Sequence, residues 1–316
     1  MTYRLTPDEV RECYGPMFNT GFLTLVDEEA GTARIIESCI AKGPGEWDLV
    51  NRRRTGGAIN VIDMVGHTLV MDCIIGERPL RAGPVSKDIG GQGLSKVEVV
   101  GDEVRTSWYG IAGASMGIGA CIPQSRDVLY TEYPDDFKIG GAHECRTVIV
   151  TRKMVRVIVG VDDTDTKEKG ATWVTALSMA AECPIGRFMD HKIIQLNPKS
   201  PTKTTNCCSS AVSFAVEEKD IPALVEYCYD YVKRNSYSED AVMTVFKGLR
   251  IPKELTDFGF SAKSVMYTDA DAIAVAEKCG VQIINVTGHG GTIGAVSAIG
   301  CFDLGPEAAG VPEDFE

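Results

Sequence analysis

At 316 residues the chain is long enough for about two domains, each with its own core. Lys and Arg number 32 against 44 Asp and Glu, a formal charge of −12, which opposes nonspecific attraction to nucleic acid or anionic lipid and leaves a small or locally held partner as the expectation. No apolar run reaches the ~20 residues of a membrane-spanning helix, no signal peptide opens the chain and the 11 cysteines form no C-x-x-C pair, so a cytoplasmic protein with reduced thiols and no membrane contact is expected.

Residues 1–150 are rich in glycine and poor in helical periodicity, which predicts a β-rich N-terminal domain of unknown role with little helix. Turns are expected at Gly43-Pro44-Gly45, Gly56-Gly57 and Gly90-Gly91-Gln92-Gly93. Strands are expected over 58–65, 67–75, 96–100 and 104–109, the last two joined by a hairpin at Gly101-Asp102-Glu103. Arg52-Arg53-Arg54 reads as a solvated basic loop or an inter-domain contact, with phosphate binding as the weaker alternative. Gly113, Gly117 and Gly119 invite a dinucleotide reading that fails, because Ala120-Cys121-Ile122-Pro123 leaves no room for the long helix it requires. Residues 130–141 read as a connecting loop, which places the domain boundary near 150.

Beyond Lys153 strands and helices alternate, so residues 151–316 are expected to form a layered α/β or α+β domain with ferredoxin-like features. The β-branched run 155–161 is a buried strand leading into Asp162-Asp163-Thr164-Asp165. A helix at 171–182, a strand at 191–196, a Pro- and Thr-rich loop at 197–206 and a strand at 211–216 follow. A helix at 221–234, another at 269–279, a strand at 282–286 and a last helix at 292–300 complete the expected elements.

Three constellations carry candidate chemistry. Asp162, Asp163 and Asp165 put hard oxygen ligands at a strand's carboxyl end, where Mg²⁺ needs only one or two carboxylates besides phosphate oxygens; ordinary turn and cap duty is the alternative. In the loop 197–206, Ser and Thr hydroxyls, backbone N–H groups and Lys203 suit an anion, with Asn197 pinning the loop by an Asx-type bond; a plain polar loop is the alternative. Gly288-His289-Gly290-Gly291-Thr292-Ile293-Gly294 lies between a strand and a helix start, where glycines admit a close phosphate, and His289 is a base, a phosphate donor or a structural residue. Cys207-Cys208 is read as core packing, since neighbours on a strand face opposite ways.

The blocks Gly160-Val161-Asp162-Asp163-Thr164-Asp165-Thr166, Leu196-Asn197-Pro198 with Lys203-Thr204, and Gly290-Gly291-Thr292-Ile293-Gly294-Ala295 ending at Ala298-Ile299-Gly300 stand in fixed order. Over residues 154–305 this resembles the archaeal 2-agmatinylcytidine synthetase family, which modifies an isoleucine tRNA and handles ATP with Mg²⁺ through such blocks. That family continues into an oligonucleotide-binding fold and a zinc ribbon; this chain ends at Glu316 without paired zinc cysteines, so a nucleic-acid partner is not expected. Over its whole length the chain resembles the methanogenesis marker protein 11 family, which implies a cytosolic protein of a methane-producing archaeon.

The resulting expectation is an ATP- and Mg²⁺-dependent enzyme of kinase or ligase type linked to methanogenesis, with an unknown acceptor and a possible homo-oligomeric state. Asp162, Asp163 and Asp165 are the catalytic and metal-binding candidates, and Thr164, Thr166, Asn197, Lys203, Thr204, Gly290, Gly291, Thr292 and Gly294 the cofactor-binding ones. An ATP-binding assembly factor for a methanogenesis enzyme and an RNA-modifying or RNA-binding protein are the alternatives.

Overall fold

The computed structural model describes residues 2–81 and 91–311, which divide into two compact units, Met1–Met154 and Val155–Glu316. It is a mixed α/β structure built on antiparallel sheets.

In the first unit β1 (Thr2–Leu5), α1 (Pro7–Tyr14), β2 (Asn19–Asp27), β3 (Thr32–Cys39), α2 (Lys42–Thr55), β4 (Ile59–Val65), β5 (Thr68–Ile74) and β6 (Gly76–Glu77) precede β7 (Gly91–Val100) and β8 (Glu103–Ile111). A short α3 (Ala114–Met116) runs into a π-turn at Gly117–Cys121, and β9 (Val128–Pro134) and β10 (Glu144–Arg152) finish the unit. Two sheets result, with orders β1-β9-β10-β8-β7-β6 and β2-β3-β5-β4. The expected strands are β4, β5, β7 and β8, and Gly101 turns the β7–β8 hairpin at φ 59°.

Several expectations change here. Gly43-Pro44-Gly45 lies in the first turn of α2, where a proline's missing N–H costs nothing. Gly91 to Gly93 belong to β7, while Gly90 lies outside the described residues. Residues 128–134 are strand β9, so only the later part of 130–141 is a connection. The basic run is the last turn of α2, not a loop. Arg52 is buried there, bonded to Glu37, Asp48 (3.2 Å) and Gln92 (3.0 Å) and stacked 4.7 Å over Trp108.

The second unit runs β11 (Val155–Asp162), α4 (Thr172–Glu182), β12 (Arg187–Gln195), β13 (Cys208–Val216), α5 (Ile221–Asn235) and β14 (Val242–Lys247), a β-α-β-β-α-β succession. Then come α6 (Lys253–Ser261), α7 (Asp269–Lys278), β15 (Gln282–Asn285) and α8 (Thr292–Gly300). Its sheet has the order β12-β13-β11-β14-β15, antiparallel throughout. β11 is central because Val155, Val157, Ile158, Val159 and Val161 are apolar on both faces. Its even positions face α8, against which Gly160 lies so close that a Cβ would strike the Ala295 carbonyl. Gly259 and Gly300 let α6 and α8 touch backbone to backbone. A Cβ on Gly259 would come within 2.9 Å of the Ser297 carbonyl, and one on Gly300 would strike that of Leu255. These contacts set the two helices antiparallel, so the end of α6 lies beside the start of α8.

Among the described residues no helix is long and apolar enough to cross a membrane. All 11 cysteines are free.

Candidate functional site

One rim of the second sheet gathers the end of β11, the starts of β13 and β14, the ends of β12 and β15 and the N-terminus of α8. The register fixes this, since Asp162 pairs with Val242, Val242 with Asn285 and Gln195 with Cys208. A cleft of about 680 Å³, its open mouth included, is cut into this rim.

Asp162 shares the face of Gly160 and reaches the first turn of α8, where the absence of a side chain on Gly294 leaves room for its carboxylate. A Cβ on Gly291 would come within 2.8 Å of the Asp162 carbonyl. Asp163 turns the chain out of the sheet at φ 59°, a conformation that Asp and Asn adopt more readily than other side chains. Burial first, and then the neighbouring Asp163 carboxylate, hold the Asp162 carboxyl well above its usual range, against a lowering backbone hydrogen bond from Asp163. Burial, and after it Asp240 and Asp165, lift Asp163 to about 6. Asp165 accepts from the hydroxyls of Thr172 (3.3 Å) and Thr204 (3.4 Å), which tie the acidic turn to α4 and to the loop 197–207.

Asn197 pins that loop with the expected Asx-type bond, its Oδ1 accepting from the Lys199 N–H at 2.9 Å. Its Nδ2 donates to the Ser264 carbonyl (3.0 Å) and touches Met266 Sδ (3.5 Å), fastening the loop to the turn after α6. Lys203 lines the cleft with its ammonium on the Pro198 carbonyl.

Among the expected site residues, Asp162, Asp163, Asp165, Asn197, Lys203, Thr204, Gly290 and Gly294 line the cleft together. Thr164, Thr166, Gly291 and Thr292 do not. The Thr164 hydroxyl turns inward to Thr172 and Thr175, Thr166 accepts from the N–H groups of Glu168 and Lys169, and Thr292 donates to the His289 carbonyl. His289 also stands off the cleft, paired with Asp269 at 3.2 Å. Sequence reasoning missed Ala262, Val265, Met266 and Tyr267, which form the wall after α6. It also missed Asp240, whose Cγ would meet a Cβ on Gly290 at 2.9 Å. Cys207 and Cys208 line the cleft, and Cys207 also packs against the core around Ile158, Leu196 and Val296; burial raises both thiols, Cys207 to about 11, and keeps them protonated at neutral pH.

No Lys, Arg or His forms an ion pair with Asp162, Asp163 or Asp165 among the described residues, and no group of three or more His, Cys, Asp or Glu is arranged there to enclose a metal. An acidic cleft with an apolar wall, at the rim of an antiparallel sheet, is the class that fold and site define. Residues 158–244 match the family model described as the TiaS TCKD domain. The chain belongs to the family of the uncharacterized protein MJ0921 of Methanocaldococcus jannaschii, with which it is 32% identical over 93% of its own length and 97% of that protein's. It is also 32% identical, over 46% of its length, to the isoleucine-tRNA 2-agmatinylcytidine synthetase TiaS of Thermococcus sibiricus, and 29% identical over 47% to that of Pyrobaculum neutrophilum. The chain spans 35% and 36% of those two synthetases. Similar solved structures include the complex of TiaS with its isoleucine tRNA and ATP (TM-score 0.43, 24% identity, 46% of this chain and 36% of that one) and apo TiaS (TM-score 0.40, 26% identity, 46% and 35%).

These relatives correct the expectation that nucleic acid is no partner, because the matched half is related to enzymes named for a tRNA. Net charge is a sum over the chain and does not describe a local contact surface. The synthetase half of the resemblance is supported; the link to the methanogenesis marker family is not.

Proposed function

We propose that the second unit binds ATP with a divalent cation and spends it on an RNA acceptor, by phosphoryl or adenylyl transfer. The observation that carries this reading is the group Asp162, Asp163 and Asp165 in one cleft, two of them with raised carboxyls and none with a basic ion-pair partner among the described residues. A cation bound among these carboxyls would offset the burial and mutual repulsion that raise them and favour their charged forms, and Mg²⁺ accepts one or two carboxylates when phosphate oxygens complete its shell. The residues present therefore fit Mg²⁺ shared with a polyphosphate better than a fully protein-bound ion, in keeping with the lack of a three-ligand enclosure among the described residues. The bound cation would supply charge neutralisation on the phosphates.

The chain's own groups would do the remainder. Lys203 and the hydroxyls of Ser200, Thr202 and Thr204 line the same cleft and offer donors to phosphate oxygens. The first turn of α8 adds the positive end of a helix dipole at Gly290 to Gly294. Asp165, steadied by Thr172 and Thr204, couples the acidic turn to that loop. Positioning and electrostatics carry most of the catalysis in phosphoryl transfer, which suits a site without an obvious nucleophile. The RNA acceptor rests on the relationship with the isoleucine-tRNA synthetases of 2-agmatinylcytidine over 46% of the chain.

The test is product analysis by chromatography after incubation of the full chain with Mg²⁺ and ATP, with and without small RNA, using Asp162→Asn as the control. RNA-stimulated release of AMP and pyrophosphate identifies adenylyl transfer, and ADP identifies phosphoryl transfer. Intact ATP under both conditions, with no thermal shift at saturating nucleotide, refutes the reading, since ligand at about 100 times its Kd adds about 2.7 kcal/mol.

A further inference from the structure

The wall opposite the acids has its own construction. Val265 and Met266 are large, apolar and respectively 47% and 56% exposed, yet both line the cleft. An exposed apolar residue needs no explanation by itself. Here, though, two consecutive ones are held from both sides. Asn197 grips Ser264 and Met266 from the loop. Lys263, fully buried, donates its ammonium to the carbonyls of Gln195 (2.9 Å), Ala308 (2.7 Å) and Gly310 (2.8 Å), locking the segment to β12 and to the C-terminal turn. Next along, Tyr267 is fixed by its hydroxyl on Ser261 Oγ (2.8 Å) and by its ring against Phe258 (4.6 Å between centroids). The segment is a rigid apolar shelf. Because α6 and α8 run antiparallel, it lies beside Ile293 and the acid end of the same cleft.

Resting on the nucleotide reading above, we infer that Val265 and Met266 form the shelf on which the nucleobase lies, with Asn197 as its positioning residue. A flexible thioether held against a flat aromatic ring is a favourable contact. The shelf recognises shape and not the base edge. The two amide hydrogens of Asn197 go to Ser264 and Met266 and the Tyr267 hydroxyl donates to Ser261, so the shelf's own side chains offer no spare donor; the acceptor lone pairs left on Asn197 Oδ1 and Tyr267 Oη meet amino hydrogens that adenine and guanine both carry. Sites that pair a polar edge discriminate by about 10⁴-fold or more, whereas apolar pockets discriminate by about 100-fold at most. A purine nucleoside triphosphate is the ligand class, with little preference between purines.

The experiment is calorimetric titration of the full chain with Mg-ATP, Mg-GTP and magnesium tripolyphosphate, in wild type, Met266→Ala, Asn197→Ala and Asn197→Asp. Expected are ATP and GTP affinities within about 10-fold of each other and a Met266→Ala loss of about fivefold for both, with tripolyphosphate unchanged. Asn197→Asp keeps the acceptor for Lys199 but loses the donor for Ser264 and adds a charge that disfavours both ligands, so it lowers ATP affinity by a larger factor than tripolyphosphate affinity; a purely structural Asn197 would lower both equally. Met266→Ala lies on the surface and leaves the fold intact if Asn197→Ala does not. ATP no tighter than tripolyphosphate, an unaffected Met266→Ala, or a preference for one purine above about 100-fold overturns the shelf while nucleotide binding stands. If none of the three ligands binds, the proposed function falls with it.

Discussion

Asp163→Asn should stabilise the empty protein at neutral pH. In the native state burial and the carboxylates of Asp240 and Asp165 lift the Asp163 carboxyl from 3.8 to about 6, so between those values the folded chain holds a proton that the unfolded chain has released. Stability therefore falls as pH rises from about 4 to about 6 and stays reduced above it. Raising the carboxyl from 3.8 to about 6 corresponds to about 3 kcal/mol, and because Asp163 is only half-buried, solvent screening reduces the figure to about 1 to 1.5 kcal/mol. Asn removes the charge and still tolerates the φ of 59° at this position, whereas Ala removes the charge but incurs about 1 kcal/mol of left-handed strain. Thermal unfolding in EDTA should place Asp163→Asn about 3–5 °C above wild type at pH 7, with Ala near wild type and the Asn advantage gone at pH 4. An Asn variant no more stable than wild type at pH 7, or equally favoured at both pH values, refutes the electrostatic account of the acidic turn.

Two further substitutions test the packing that builds the two units. Gly294→Ala should destabilise by about 1–3 kcal/mol and weaken nucleotide binding, because its Cβ would occupy the place of the Asp162 carboxylate. Helix propensity alone favours Ala by about 1 kcal/mol, so a more stable variant in a thermal melt would sink the close approach. Arg52→Met should cost about 3–5 kcal/mol in urea unfolding, since Glu37 and Asp48 would stay buried without their partner; a loss below about 1 kcal/mol would mean that they reach solvent or protonate freely.

The acidic end of the cleft was legible in the sequence because its chemistry is contiguous. A β-branched run must be strand, and the residues after it must leave the sheet at one rim, so Asp162, Asp163 and Asp165 could be placed from local pattern alone. Asn197 was legible for the same reason, its Asx-type bond closing over two residues. The apolar wall was not. Val265 and Met266 carry no motif, and what brings them to Asp162 is the meeting of α6 with α8 through Gly259 and Gly300, a contact between segments about 40 residues apart. Asp240 reaches the acids only through the pairing of β11 with β14, a strand left unread although Val242 to Phe246 is buried throughout. Thr164 and Thr204 look alike in sequence as hydroxyls near a phosphate site, and only the position of α4 decides that one points inward and the other to Asp165. Cys207 packs against the core as expected, but its place in the cleft stayed hidden because alternation along a strand was applied to a residue that precedes β13 and has φ 55°.

The features that weaken the empty cleft are the ones on which its proposed ligand rests. Asp162 and Asp163 are held together with raised carboxyls, and Asp163 sits in a left-handed conformation. Two apolar side chains stand in water on a shelf fixed by a fully buried lysine. Each raises the free energy of the unliganded state, and under the proposed function each would be relieved by a different part of one molecule: the carboxylates by a cation with phosphate, the shelf by a flat ring. Strain of this kind is kept where binding offsets it. A ligand that satisfies only one end should therefore recover only part of the stability that a purine triphosphate with its cation restores.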